Sequence, residues 1–316
     1  MKPLKAPFPY FGGKSTVAGA VWARFGDAPN YVEPFFGSGA VLLSRPHPPK
    51  TETVNDADGL LVNFWRALQA DPGLVAYHAD WPVSEIDLTA RHLELRRARA
   101  DVERMMVEPG YYDAKLAGWW VWGLCSWIGN GWCAKDWRGQ PHLGDAGQGI
   151  NRRLPHLGDA GQGINRRGTA IREYFHELAE RLRDVRITCG NWSRIIGPSP
   201  TTKHGLTAVF LDPPYGADER QDNLYAKDGN IAGDVRAWAI EHGDDPLMRI
   251  ALCGYDTEHE DSMPPDWSRL HWRTRGGYGN RGNGRGRANR SRETIWFSPH
   301  CLPATLFELC GVDVGA

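Results

Sequence analysis

The chain has 316 residues, with 37 Lys and Arg against 38 Asp and Glu and a formal net charge of −1. That length supports one large core or two modest ones. The balanced charge excludes a globally basic surface, so a polyanionic partner must be met by positive charge concentrated locally. The six cysteines (125, 133, 189, 253, 301 and 310) show no C-x-x-C pairing, which speaks against a zinc site or a disulfide framework and for a reducing compartment. Met1-Lys2-Pro3-Leu4-Lys5 lacks the apolar run of a signal peptide.

The first motif is Pro9-Tyr10-Phe11-Gly12-Gly13-Lys14-Ser15, a glycine turn with a lysine that leads into a helix over Thr16–Phe25. Its glycine spacing is not that of a P-loop, so Lys14 suits a small carboxylate better than a triphosphate. Next, Tyr31–Leu43 reads as strand, glycine turn and helix start. Glu33 sits at the mouth of the strand, and Gly37 and Gly39 let the backbone turn tightly. Glu52–Asp58 is a second short strand ending in carboxylates. An acid at that position grips ribose hydroxyls in nucleotide-binding βαβ units, and the plainer alternative is a helix N-cap for Leu60–Leu68 supplied by Asp56 or Asp58.

Helices are expected over Leu88–Val107 and Ala170–Arg183, with Trp-rich and repeat loops between them. Leu116–Ala134 carries no charge but holds five tryptophans and four glycines, the wrong composition for a membrane span. It reads as an aromatic subdomain core, or as a turn at Ile128–Trp132 presenting aromatics to a ligand. Pro141–Arg153 recurs identically at Pro155–Arg167. This is a duplication tolerated in a surface loop, or a pair of hairpins each offering Gln, Asn and Arg to nucleic acid.

The strand pattern resumes at Val185–Cys189 and Ala208–Leu211. The second of these runs into Asp212-Pro213-Pro214-Tyr215. Proline fixes φ and removes a donor, so this turn holds a carboxylate, a free carbonyl and an aromatic ring at a strand's carboxyl end, where open α/β sheets bind ligands. Such a set suits a planar amine; an ordinary turn is the plainer alternative. Further strands are expected at Arg249–Cys253, Leu270–Thr274 and Glu293–Phe297. The last two flank Arg273–Arg292, a stretch with seven arginines, six glycines and no acid. Such a run cannot build a core; it reads as a mobile, cationic loop, either solvated with no partner or, beside a nucleic-acid-enzyme signature, in contact with phosphates.

Taken together, F-G-G-K (11–14), E-P-F-F-G-S-G (33–39), N-D-A-D (55–58) and D-P-P-Y (212–215) resemble the Dam-type adenine-N6 DNA methyltransferases, in motif order as well as in residues. The resemblance implies an α/β fold: a mostly parallel, Rossmann-like methyltransferase sheet with a terminal antiparallel hairpin and a mainly helical inserted subdomain. The catalytic domain would span 1–70 and 184–316, with a Trp-rich DNA-recognition region at 71–183. It further implies S-adenosyl-L-methionine as cofactor, held by Tyr10, Lys14, Glu33, Phe36, Gly37, Gly39, Asp56, Asn191 and Asp212. Asn191 departs from the aspartate that relatives often carry. Asp212 and the Pro213 carbonyl, with Pro214 and Tyr215 completing the turn, would grip and stack a flipped adenine. Double-stranded DNA is the implied partner. Arg152, Arg153, Arg166, Arg167, Arg275, Arg281, Arg285 and Arg287 are the candidate phosphate contacts. No metal, membrane or obligatory protein partner is expected, and the setting is the cytoplasm of a bacterial or phage-infected cell, with or without a restriction partner. D-P-P-Y also serves methylation of cytosine-N4, RNA or glutamine, and a non-catalytic DNA-binding protein on the same fold is the outer alternative.

Overall fold

Strands buried on both faces read as unbroken apolar runs rather than alternating ones, and Thr207–Leu211 is such a run, every residue buried. It is β4 of a seven-stranded sheet in a computed structural model that describes residues 4–10, 13–127, 132–133, 169–214, 231–272 and 293–303. The strands are β1 (Asn30–Glu33), β2 (Thr51–Asp56), β3 (Arg186–Cys189), β4, β5 (Met248–Tyr255), β6 (Ser268–His271) and β7 (Glu293–Phe297), in the order β3-β2-β1-β4-β5-β7-β6. The helices, in chain order, are α1 (Ala18–Phe25), α2 (Ala40–Leu43), α3 (Gly59–Ala70), α4 (Pro72–Ala79), α5 (Glu85–Arg97), α6 (Arg99–Val102), α7 (Ala114–Ser126), α8 (Thr169–Leu182), α9 (Ile231–His242) and α10 (Asp256–His259). The chain divides into two units. One holds residues 1–3, Gly12–Asn55 and Trp192–Ala316; the other holds Leu4–Phe11 and Asp56–Asn191.

In the first unit β1 runs parallel to β2 and β4, and β4 runs parallel to β5. The register pairs Val32 with Val209 and Leu211 with Leu252, so the chain leaves β1 and β4 on one edge of the sheet. β7 then lies antiparallel to both β5 and β6, giving the expected mixed sheet with its terminal hairpin. α9 covers one face through Ile231, Val235 and Ala239, which pack with Val32, Val209, Leu252 and Trp296. α1 supplies Trp22 and Phe25 to a separate buried group. The Trp22 ring lies 5.0 Å from that of Tyr31, and its indole N–H donates to the Val41 carbonyl at 2.7 Å. Each of these large side chains contributes about 1.5–3 kcal/mol by leaving water.

The second unit corrects two expectations. The Trp-rich stretch, expected as a loop, begins as a helix. Asp113 caps α7 by accepting from Leu116 N at 2.8 Å. Its backbone is held by Asn63, whose side chain donates to the Asp113 carbonyl (2.9 Å) and accepts from the Asp113 N–H (2.8 Å). Gly118 explains the glycine inside the helix: a Cβ there would stand 2.5 Å from His78 Cβ and 2.7 Å from the Val75 carbonyl, so α7 packs on α4 only where a side chain is missing. Trp120, Trp122 and Trp127 are buried, which agrees with the aromatic-core reading. Ile128–Gly131, the centre of the proposed ligand-facing turn, lies outside the described residues. The expected single helix over Leu88–Val107 is three pieces, α5, α6 and a 3-10 turn at Glu103–Met106. Arg91 of α5 lies over Trp81, Trp119 and Trp122 at 4.2–5.3 Å from the ring centroids, and His92 stacks on Trp127. No helix among the described residues is long and apolar enough to cross a membrane.

Candidate active site

Asp212 directly follows β4, at the carboxyl end of that strand in the first unit. Pro213 and Pro214 follow, and Tyr215 lies outside the described residues. Lys14 comes to Asp212 from the far end of the sequence. Its carbonyl accepts from Val17 N (3.1 Å) and Ala18 N (2.9 Å), which fixes the backbone where the chain enters α1. The lysine side chain is 4% exposed, and its Nζ sits 2.8 Å from Asp212 Oδ2, on a side chain 19% exposed. Burial alone would lower the lysine. The field and hydrogen bond of Asp212, with the field of Glu293, outweigh it and leave the ammonium above its ordinary range. The same ammonium lies 5.6 Å from the centroid of the Trp272 ring.

Cys253 of β5 shows which charges converge here. Burial pushes its thiol well above the usual range. Asp212, Glu293 and Glu33 push the same way and Lys14 opposes them. The thiol therefore stays protonated, a neutral wall in the field of those carboxylates and the ammonium. Glu33, the last residue of β1, is buried and accepts from the Tyr31 hydroxyl at 2.8 Å. Burial first, and then Glu33, hold that hydroxyl well above the usual tyrosine range, so it remains a donor.

The turn after β1 is laced to β2. Phe36 N donates to the Asn55 carbonyl (2.9 Å), and the Asn55 side chain donates to the Pro34 carbonyl (3.1 Å). Gly37 and Gly39 have φ of +49° and +67°, the left-handed region that favours glycine. Gly39 N closes the turn on the Phe36 carbonyl at 2.9 Å, and the Gly39 carbonyl accepts from Leu43 N in α2.

At the same edge the hairpin is pinned. Trp272 N donates to the Glu293 carbonyl at 3.2 Å. Thr294 Oγ1 donates to Asp256 Oδ1 at 2.5 Å and meets His271 Nδ1 at 2.8 Å. Sequence reasoning missed Trp272, Glu293 and Cys253; each was read as a strand residue, and no local pattern marks a strand residue as facing a site. Of the expected site residues, Lys14, Glu33, Phe36, Gly37, Gly39 and Asp212 belong to this unit, and Lys14 and Asp212 are in direct contact.

Tyr10, Asp56 and Asn191 belong to the second unit. Asp58, rather than Asp56, caps α3, accepting from Leu60 N at 3.0 Å and pairing with Arg99 at 3.1 Å. Asp56 is buried, and its Oδ1 accepts from Asp58 N at 2.9 Å. Asn191 is exposed, and Tyr10 packs edge-on to Phe8 with ring centroids 6.0 Å apart. Arg152, Arg153, Arg166, Arg167, Arg275, Arg281, Arg285 and Arg287 lie outside the described residues, with both repeat copies. No cluster of metal-binding side chains and no disulfide occurs among the described residues.

Residues 10–105 match the family model of the D12 class N6 adenine-specific DNA methyltransferases. The matched segment takes in the first three motifs and ends before D-P-P-Y. No curated protein matches the chain.

Proposed function

We propose, from the match of residues 10–105 to the D12 class N6 adenine-specific DNA methyltransferases, that the chain transfers the methyl group of S-adenosyl-L-methionine to the N6 amine of an adenine flipped out of duplex DNA. The observation that carries this reading is Asp212, in contact with the Lys14 ammonium at 2.8 Å where a buried strand ends in two prolines.

The residues present fit the cofactor. Glu33 and Asp212 both bring negative charge to the surroundings of Cys253, opposed there by the Lys14 ammonium, a setting suited to a sulfonium cation. The left-handed turn at Gly37 and Gly39 lets backbone approach a ligand closely. Within the first unit Glu33, Phe36, Gly37 and Gly39 would hold it, with Lys14 and Asp212 beside them. When bound, the cofactor supplies an electrophilic methyl group.

The chain's own contribution is alignment and electrostatics. Adenine N6 is a weak nucleophile because its lone pair is delocalised into the ring. Asp212 and the Pro213 carbonyl, accepting one N–H each, would draw the nitrogen toward tetrahedral geometry and free that lone pair. Lys14 lies against Asp212 as its countercharge. Stacking on Tyr215 would offset part of the few kcal/mol of unstacking. The test is digestion of duplex DNA after incubation with labelled S-adenosyl-L-methionine. N6-methyladenine is the expected product. Label only in N4-methylcytosine, RNA or protein overturns the reading.

A further inference from the structure

The Lys14–Asp212 contact raises a question that the reaction alone leaves open, namely what holds a flexible lysine in place. A lysine stem has many rotamers, and fixing it in one of them costs side-chain entropy. The neighbours that could offset that cost are on β5, β6 and β7. Trp272, just past β6, is 9% exposed and turns its ring toward the ammonium at 5.6 Å, within the range of a cation–π attraction. The indole Nε1 is buried with no hydrogen-bond partner among the described residues. The placement of this side chain is therefore not explained by its N–H, which leaves the ring face as the part that acts. Glu293, the first residue of β7, is 7% exposed and adds a second carboxylate field at Lys14. The two are tied to each other by the Trp272 N–H to Glu293 carbonyl bond, and behind them Asp256, Thr294 and His271 lock the strand ends.

We propose that Trp272 and Glu293 are positioning residues, which seat the Lys14 ammonium on Asp212 through a ring face and a second negative charge joined to it by the Trp272 N–H to Glu293 carbonyl bond. They touch neither base nor methyl group and act through Lys14. The proposal rests on the assignment of Asp212 to the amine, and it accounts for two buried polar residues that the reaction itself does not use. A further consequence is that the ring matters and the indole N–H does not.

The experiment follows the Lys14 Nζ–H signal by NMR in the whole protein, identified by its loss in Lys14→Met, alongside steady-state kinetics. A seated, buried ammonium gives a slowly exchanging signal. Trp272→Leu and Glu293→Gln are expected to lose it and to lower kcat about 10- to 100-fold, the scale of a small misplacement at a reacting group. The KM for DNA and the Kd for S-adenosyl-L-methionine should stay within about threefold of wild type. Trp272→Phe keeps the ring and is expected to keep both signal and turnover. Retention of the signal and of kcat in Glu293→Gln and Trp272→Leu overturns the proposal, as does a Trp272→Phe variant as impaired as Trp272→Leu. If Trp272→Leu fails to fold, Glu293→Gln and Trp272→Phe decide the matter. The NMR arm needs no turnover, so failure of the DNA reaction and failure of the clamp are separate results.

Discussion

Replacing Asp212 by asparagine keeps the shape of the side chain and removes its charge, and two effects should separate. The first is catalytic. An acceptor that strengthens as positive charge builds on N6 acts mainly in the transition state, and losing one preorganised interaction of that kind costs about 2.7–4 kcal/mol, or about 100- to 1,000-fold in turnover. The second is structural. Lys14 is left 4% exposed without the carboxylate that sat 2.8 Å away. Stranding a fully buried charge costs about 3–5 kcal/mol. Asp212 is 19% exposed and the Glu293 field remains, so about 1–3 kcal/mol is expected here. Adding Lys14→Met removes the stranded cation. The double variant should therefore recover most of the missing stability while staying inactive. Thermal unfolding measures the structural effect, single-turnover transfer of labelled methyl the catalytic one, and calorimetry checks that cofactor affinity has changed far less. Turnover within a few-fold of wild type in the folded Asp212→Asn protein, or a double variant that regains activity, would refute the assignment of the amine grip to this carboxylate.

Three further outcomes are expected. Gly39→Val forces a β-branched residue into φ of +67°, a strain of about 1–3 kcal/mol, and should weaken S-adenosyl-L-methionine binding in calorimetry; unchanged affinity would remove the glycine turn from the cofactor site. His92 and His259 are buried and held neutral, each with a pKa of about 4, by desolvation and by Arg96 and Arg236 respectively. Their unfolded forms take up protons near pH 6.5, so this part of the stability is present above pH 6.5 and falls by about 2–3 kcal/mol per histidine as pH drops toward 4; a flat unfolding profile across that window would contradict it. Neutralising three arginines between Arg273 and Arg292 should weaken binding alike across DNA sequences and lower the salt slope by roughly one for each phosphate left without its arginine, whereas a changed methylation motif at constant slope would mean that the segment reads bases.

The legible parts of the fold were those where local pattern and burial coincide. The final strand, Glu293–Phe297, appears with the boundaries expected from its apolar run, and Ala208–Leu211 falls inside β4. The helices were less legible. The segment from Leu88 to Val107 has no glycine or proline before its end, so nothing in the sequence announces the break at Ala98 between α5 and α6. In α7, glycine and tryptophan are both modest helix formers, and only the packing of Gly118 on His78 and Val75 explains why a helix wins. Asp56 and Asp58 could each cap a helix by type, and the hydrogen bond to Leu60 chooses Asp58. The site was legible as separate motifs but not as an arrangement. Lys14 and Asp212 carry no mark of each other, and the residues around their contact, Trp272, Glu293 and Cys253, were visible only as members of strands.

The centre of the sheet has a temporal consequence. β1 is flanked by β2, which follows it closely, and by β4, where Asn30 pairs with Thr207, 177 residues later. During synthesis at about 5–20 residues per second, the β4-facing edge of β1 waits roughly 10–35 s for its partner to be made. In that interval the second unit is translated in full and is free to fold first. The all-buried strand Asn30–Glu33 meanwhile presents an unsatisfied backbone edge to the cell. A ribosome-bound chain ending before Thr207 should therefore engage chaperones through β1 and its surroundings, and a chain extended past β5 should release them.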